Sequence, residues 1–275
     1  MFFQTRNAVA PQAVATKPAA AAAATTSTTT ISPTALADLS AQLASAHFTA
    51  LNAALLTDWW RAAFLATHKN NVDAALNAIE KTLIWRAEYR WYDLPKEKFD
   101  AEERSGKLYW HKRDREGNPV LIFRMDRHVA SKTQADAERT VRFLIWFVER
   151  AIRTGLVTNR MTLLVDRIDT TVANAEGLQF LRYAGSHIQT AFPEIMHRIV
   201  VFPTSTLLYA LWKVAQGFLN PRVVGKIRIC ADNYEAVLLE TVEEEHLPRR
   251  YGGQSVDPMD EEGWQQRAAA ATSET

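Results

Sequence analysis

Residues Phe192–Lys226, FPEIMHRIVVFPTSTLLYALWKVAQGFLNPRVVGK, form the stretch that decides how this chain folds. It opens with a turn signal, Phe192-Pro193-Glu194. A β-branched run follows, Ile199 to Phe202, and Pro203 ends it, as a strand bounded by turn signals requires. Leu207 to Leu219 then reads as a helix. At about 100° per residue, Leu207, Leu208, Leu211, Trp212, Val214, Phe218 and Leu219 spread over roughly 160° of its circumference. A helix resting on a soluble core needs an apolar stripe of only roughly 100°, so the surplus must face something apolar. The segment would be about 20 Å long against a bilayer of roughly 30 Å, which rules out a membrane span. It is therefore a helix buried on two sides, a partner interface, or a lid over an apolar cavity.

Outward from this stretch, strands and helices alternate. Asp114–Pro119 (DREGNP) is a turn and Val120–Arg124 a buried strand. A helix is expected over 135–154, a strand over 161–166 and a helix over 176–191. The strand 198–202 and the oily helix come next, then a strand over 226–230 and a helix over 234–240. Strand and helix in strict turn predict a mainly parallel sheet with helical crossovers, hence an α/β fold. Upstream, Val72, Leu76, Ile79, Leu83, Ala87 and Trp91 recur at helical spacing behind a capping Asn70 or Asn71, and WWRAAFLATHKN forms a shorter helix beside them.

The ends differ in composition. Residues 1–33 are rich in Ala, Thr, Ser and Pro and read as a disordered tail. Arg6 and Lys17 with no acid before Asp38 give that tail a weak organelle-import character, and it has no secretory apolar core. Residues 34–100 form a small helical unit, 101–253 the α/β domain, and 254–275 an acidic, Ala-rich flexible tail. In all, 47% of the 275 residues are hydrophobic and 10% aromatic, enough for a large core. The single cysteine, Cys230, excludes an internal disulfide and suits a reducing compartment. A net charge of +1 hides a sorting: Arg139–Arg228 holds 12 Lys/Arg against 5 Asp/Glu, whereas Asp232–Glu262 holds 10 acids against 2 bases. The basic middle suits an anionic ligand or a membrane surface, or is simply a solvated face.

The usual marks of catalysis are missing. No G-x-x-x-x-G-K-[ST] or G-x-G-x-x-G is present, and no G-x-S-x-G raises a serine on a strained elbow. Ser186 beside His187 falls inside a predicted helix. The seven histidines do not stand at metal-ligand spacings, so no metal and no cofactor is expected. Asp166 and Asp169 end a parallel strand, where ligands gather in α/β sheets, but they serve equally as cap and loop carboxylates.

Several passages, in order, resemble the CRAL-TRIO family of lipid-binding and transfer proteins, of the phosphatidylinositol/phosphatidylcholine transfer type. FLATHKNNVDAALNAIEKTLIWRAEY is similar to the family's N-terminal helical segment, YWHKRDREGNPVLIFRM to its first strands and MTLLVDR to its central strand. AFPEIMHRIVVFP resembles its YPE passage, LNPRVVGKI its "L.P.t..KI" passage and HLPRRYGG its "LP.eyGG" ending.

The resemblance implies a CRAL-TRIO domain that holds one lipid in an apolar pocket closed by a gating helix, here Leu207, Leu208, Leu211, Trp212 and Phe218. The pocket wall would come from the strands: Val120, Ile122, Leu163, Val165 and Val201. By motif position the headgroup residues would be Lys69, Glu194, Val223 and Lys226. Val223 replaces a threonine, while His68 and Ile195 stand where arginines are common. Ammonium groups suit a phosphate, and a carboxylate accepts hydrogen bonds from hydroxyls. The implied protein is cytoplasmic and peripheral on membranes, takes a phospholipid, binds no nucleic acid and catalyses nothing. Three alternatives remain: a carrier of a tocopherol- or retinoid-like ligand, a membrane-recruiting scaffold, and an α/β hydrolase using Ser186, or another serine with Asp166.

Overall fold

The structure, a computed structural model, describes residues 30–53, 56–219 and 221–260. Its N-terminal part is helical: α1 (Pro33–Leu43), α2 (Ala46–Ala50), α3 (Asp58–Thr67) and α4 (Val72–Glu88). Ser32 caps α1, with Pro33 at its first position, where the missing N–H is no loss. Asn71 caps α4 by accepting from the Ala74 amide at 2.9 Å. The α3–α4 link turns through Lys69 and Asn70, both at positive φ. The Asn70 amide donates to the Thr30 carbonyl at 2.8 Å, which fastens the chain just before α1. The helical unit therefore begins at Pro33, and residues 1–29 of the expected tail lie outside the described residues.

After the short α5 (Asp100–Arg104) the sheet begins. Its strands are β1 (Leu108–Arg113), β2 (Pro119–Arg124), β3 (Met161–Asp166), β4 (Met196–Phe202) and β5 (Ile227–Ile229), in that spatial order. β1 and β2 form an antiparallel hairpin. Asp114 accepts from the amides of Glu116 and Asn118 inside the turn, and Gly117 supplies φ +84°. The other neighbours pair in parallel. Crossovers run through α6 (Gln134–Arg153), α7 (Leu178–Ala191), and α8 (Thr206–Ala215) followed by α9 (Pro221–Val224). The last helix is α10 (Tyr234–Thr241).

The expected single helix over 207–219 is two pieces. α8 starts one residue early because Ser205 caps it, and a one-turn 3-10 helix, Gln216–Phe218, succeeds it. Gly217 weakens helix continuation.

Alternation along the strands divides the core. Val120, Ile122, Leu164, Val200 and Phe202 point to one face, packed with Leu238, Val242, Leu247 and Tyr251. Leu121, Phe123 and Leu163 point to the other, which carries α6, α7 and the N-terminal helices. Each large side chain fully buried on either face contributes about 1.5–3 kcal/mol.

The chain does not leave the domain at residue 253. Asp257 is buried and accepts from Tyr109 Oη at 2.9 Å, and Pro248 bridges to Ser255. Residues 254–260 therefore belong to the folded body, against the expectation of a flexible tail from 254. The remainder of that tail lies outside the described residues.

Candidate functional site

A cavity of about 230 Å3 lies on the α7 face of the sheet. Its walls are apolar: Leu163 from β3, Ile199 from β4, Ile227 from β5, Ile188 from α7, and Phe192 and Leu219 from the connections. Its polar end is Glu194, Arg222 and Lys226. Gly185 permits the tight fit between α7 and the end of the α8 segment, since a Cβ there would stand 2.9 Å from Leu219 Cδ2.

Glu194 is placed by a turn. The Ile195 amide donates back to the Phe192 carbonyl, Pro193 is second in the turn, and Glu194 is third with φ +62°. Glycine or asparagine prefers that place, and a branchless acid there costs about 1–2 kcal/mol. The strain is offset by what the carboxylate finds. Lys226 Nζ donates to Glu194 Oε2 at 2.9 Å, and Arg222 Nη1 lies 3.5 Å from Oε1. The Lys226 and Glu194 side chains are only 7% and 14% exposed, so the pair is largely out of water. Burial works to raise the Glu194 carboxyl pKa. The Lys226 hydrogen bond and the charges of Lys226 and Arg222 outweigh it and hold the carboxyl below its ordinary range. Arg222 Nη1 is also 3.4 Å from the Ala66 carbonyl, which ties this cluster to the end of α3.

Of the headgroup residues expected from sequence, Glu194, Val223 and Lys226 meet at this cavity. Val223 brings an apolar side chain where a hydroxyl was the family pattern. Lys69 is exposed on the left-handed turn after α3 and makes no ion pair among the described residues. His68 is engaged locally, its Nδ1 2.9 Å from the Phe64 carbonyl, and Ile195 is buried.

The expected wall needs correction. Val120 and Ile122 face the opposite side of the sheet, because alternate residues of a strand point opposite ways. Leu163 does line the cavity. Val165 and Val201 share its face, paired in register, farther along the strands and away from the cavity lining. α8 does not line the cavity either: Leu207, Leu208, Leu211 and Trp212 are absent from its wall, and the helix packs on α7 instead. Leu207 is 73% exposed and Val214 52%. The side chain of Phe218 lies outside the described residues. Arg222, Gly185, Ile188 and Gln189 were missed by sequence reasoning, although α7 was legible as a helix and Arg222 sits inside the LNPRVVGKI passage.

The hydrolase alternative finds no assembly. Asp166 is fully buried on the other face, accepting from Tyr251 Oη at 2.8 Å and from Arg250 Nε at 3.0 Å, with Arg124 Nε at 3.2 Å. Ser186 is exposed on α7, and His187 directs Nδ1 to the Tyr183 carbonyl.

Residues 103–253 match the model of the CRAL/TRIO domain, more than half of the chain. This chain belongs to the CRAL/TRIO domain family. Within it, the SEC14 cytosolic factor of Eremothecium gossypii is 30% identical over 246 residues, covering 83% of this chain and 78% of that protein. The Sec14 cytosolic factor of Schizosaccharomyces pombe is 27% identical over 69% of this chain and 72% of its own length. A phosphatidylinositol/phosphatidylcholine transfer protein of Arabidopsis thaliana, SFH12, is 24% identical; the match covers 69% of this chain but only 38% of that longer protein. The crystal structure of Sfh5 shares the fold, with a TM-score of 0.54 at 15% identity over 65% of each chain. The CRAL/TRIO match ends at Gly253, seven residues short of the last described residue. No helix among the described residues is long and apolar enough to cross a membrane.

Proposed function

We propose that the protein binds one phospholipid at a time and carries it between membranes without a covalent step, with preference for an anionic, hydroxyl-bearing headgroup such as that of phosphatidylinositol. The observation that carries this reading is the Lys226–Glu194 pair, largely buried at the polar end of an otherwise apolar cavity, with the more exposed Arg222 beside it. A headgroup phosphate takes the two cations, and ring hydroxyls donate to the Glu194 carboxylate. Lys69, on the adjoining turn, adds a third cation to the phosphate. Membership of the CRAL/TRIO family and the names of the relatives support the same reading.

A cavity of about 230 Å3 is smaller than the roughly 300–1,000 Å3 of ordinary ligand pockets. A two-chain lipid therefore enters only when the segment from α8 to Leu219 swings away from α7. Val165 and Val201 then join the wall. Leu207 and Val214 already stand in water, so a bilayer surface stabilises the opened form by covering them. The protein works as a cytosolic visitor to membranes. The test is organic extraction and mass spectrometry after incubation with mixed phosphatidylinositol/phosphatidylcholine vesicles, together with transfer between vesicles. Stoichiometric phospholipid is expected, enriched in phosphatidylinositol. Recovery of an isoprenoid or of no lipid from active-fold protein overturns the reading.

A further inference from the structure

Arg86, in α4, is 4% exposed and has no carboxylate within ion-pair distance among the described residues. Its Nε is buried without a partner among them. Glu149 on α6 attracts it from beyond contact distance, but a buried guanidinium with no carboxylate touching it still calls for a reason. Its surroundings give one. The Arg86 Cζ lies 4.6 Å from the Trp91 ring centroid and 5.3 Å from that of Trp60, so two indoles receive the charge. Its Nη2 points at the Ala191 carbonyl at 3.5 Å. Ala191 is the last residue of α7, where the helix carries its negative end.

The residue after Ala191 enters the same pair of indoles. The Phe192 ring stacks on Trp60 with centroids 6.2 Å apart and meets Trp91 edge-on at 5.4 Å. Two residues further on is Glu194, at positive φ in a turn that its side chain does not favour. On its far side the chain is fixed by the sheet, where the Met161 amide donates to the Ile195 carbonyl at 2.9 Å. On its near side the turn leaves α7, whose Ile188 carbonyl accepts from the Phe192 amide at 3.0 Å, and the Ala191 carbonyl and the Phe192 ring are also held by the helical unit. We propose that Arg86, with Trp60 and Trp91, is a positioning device that sets the Phe192–Ile195 turn and so aims the Glu194 carboxylate at Lys226. The helical unit is then part of the binding site without touching the ligand. The functional side of this inference rests on the headgroup reading above; the geometric side does not.

The full chain is used for the test, with Arg86→Met, Glu194→Gln and the double variant. The first measurement is the carboxyl-carbon NMR titration of Glu194, assigned by its loss in Glu194→Gln. In Arg86→Met the midpoint is expected to rise by about one pH unit as Lys226 loses its aim. The second is the ratio of phosphatidylinositol to phosphatidylcholine loaded from mixed vesicles. That ratio is expected to fall about five- to tenfold, less than the full loss of one hydrogen bond to a charged group. The double variant should fall no further than Glu194→Gln alone. A folded Arg86→Met with the Glu194 midpoint unchanged overturns the proposal, even where loading of both lipids drops together. A shifted midpoint with a ratio that even Glu194→Gln leaves unaltered keeps the device and removes the headgroup reading. If Arg86→Met does not melt cooperatively, Arg86→Lys is read in the same way, since it keeps the charge and loses the planar fork between the indoles.

Discussion

Leu219 rests in the space that a side chain at Gly185 would fill. Its Cδ2 would be 2.9 Å from a Cβ at that position, and this contact joins α7 to the end of the α8 segment. Gly185→Ala adds about 1 kcal/mol of helix propensity and removes a comparable amount by pushing Leu219 outward. Melting should therefore move little. Because the displaced Leu219 belongs to the segment proposed to open, lipid exchange between vesicles should become faster. Unchanged exchange in the folded variant would mean that this contact does not hold the segment shut.

Lys226 and Glu194 are largely buried together, so removing the lysine affects both ligand and fold. Lys226→Ala should weaken phosphatidylinositol loading by about 1.5–3 kcal/mol, the range for hydrogen bonds to charged groups. Phosphatidylcholine loading should change less, because that lipid shares the phosphate but has no ring hydroxyls for the Glu194 carboxylate that Lys226 holds in place. Competitive loading from mixed vesicles, read by mass spectrometry, separates the two. Equal losses would assign Lys226 to the phosphate common to both lipids or to the fold, and remove it from headgroup selection.

Acid should act through Glu194. Its carboxyl is held below the ordinary value of 4.5, burial opposing and Lys226 and Arg222 prevailing. The folded state thus binds this proton more weakly than the unfolded chain does. The resulting stability is present above 4.5 and is lost as pH falls through the depressed folded value. Asp166 acts in the opposite sense, because burial raises its pKa and protonation relieves that cost as pH falls below the raised value. Urea melts from pH 7 to pH 3 should show Glu194→Gln less stable than the wild type at neutral pH, with the difference closing below the ordinary carboxylate range. A difference independent of pH would assign the effect to shape and not to charge.

Leu207 and Val214 are already in water, so charging them costs the fold little. Leu207→Asp with Val214→Asp should leave stability within about 0.5 kcal/mol of the wild type each. Vesicle binding and transfer should drop sharply, since the double variant brings two carboxylates to the surface proposed to meet the bilayer. Normal transfer by this variant would separate the exposed side of α8 from membrane contact.

Much of this was legible in sequence because it is local. Strand 161–166 follows from a β-branched and aliphatic run between turn signals, and a cap at Asn70 or Asn71 from their side chains, of which Asn71 is the one that caps α4. The passage around Glu194 and Lys226 was found because short motifs keep order along a chain. What failed was long-range. The sequence does not say which face of a strand lies under α7, so Val120 and Ile122 went to the wrong side. Nor does it say that α8 packs on α7 and leaves the wall to Ile188 and Leu219. Arg222 is not legible in sequence because its place depends on the last turn of α3, whose Ala66 carbonyl lies 156 positions earlier in the chain.

The division of the sheet between two faces has a consequence for how such a chain can diverge. β3 and β4 carry two interleaved messages, read on alternate residues. Leu164, Val200 and Phe202 answer to the sealed interior with Tyr251, while Leu163 and Ile199 answer to whatever occupies the cavity. Substitutions at the second set can retune the cargo one residue at a time while the first set keeps the domain standing. A single-residue insertion inside β3 would do the reverse, turning the cargo wall inward and the interior toward the cargo in one step.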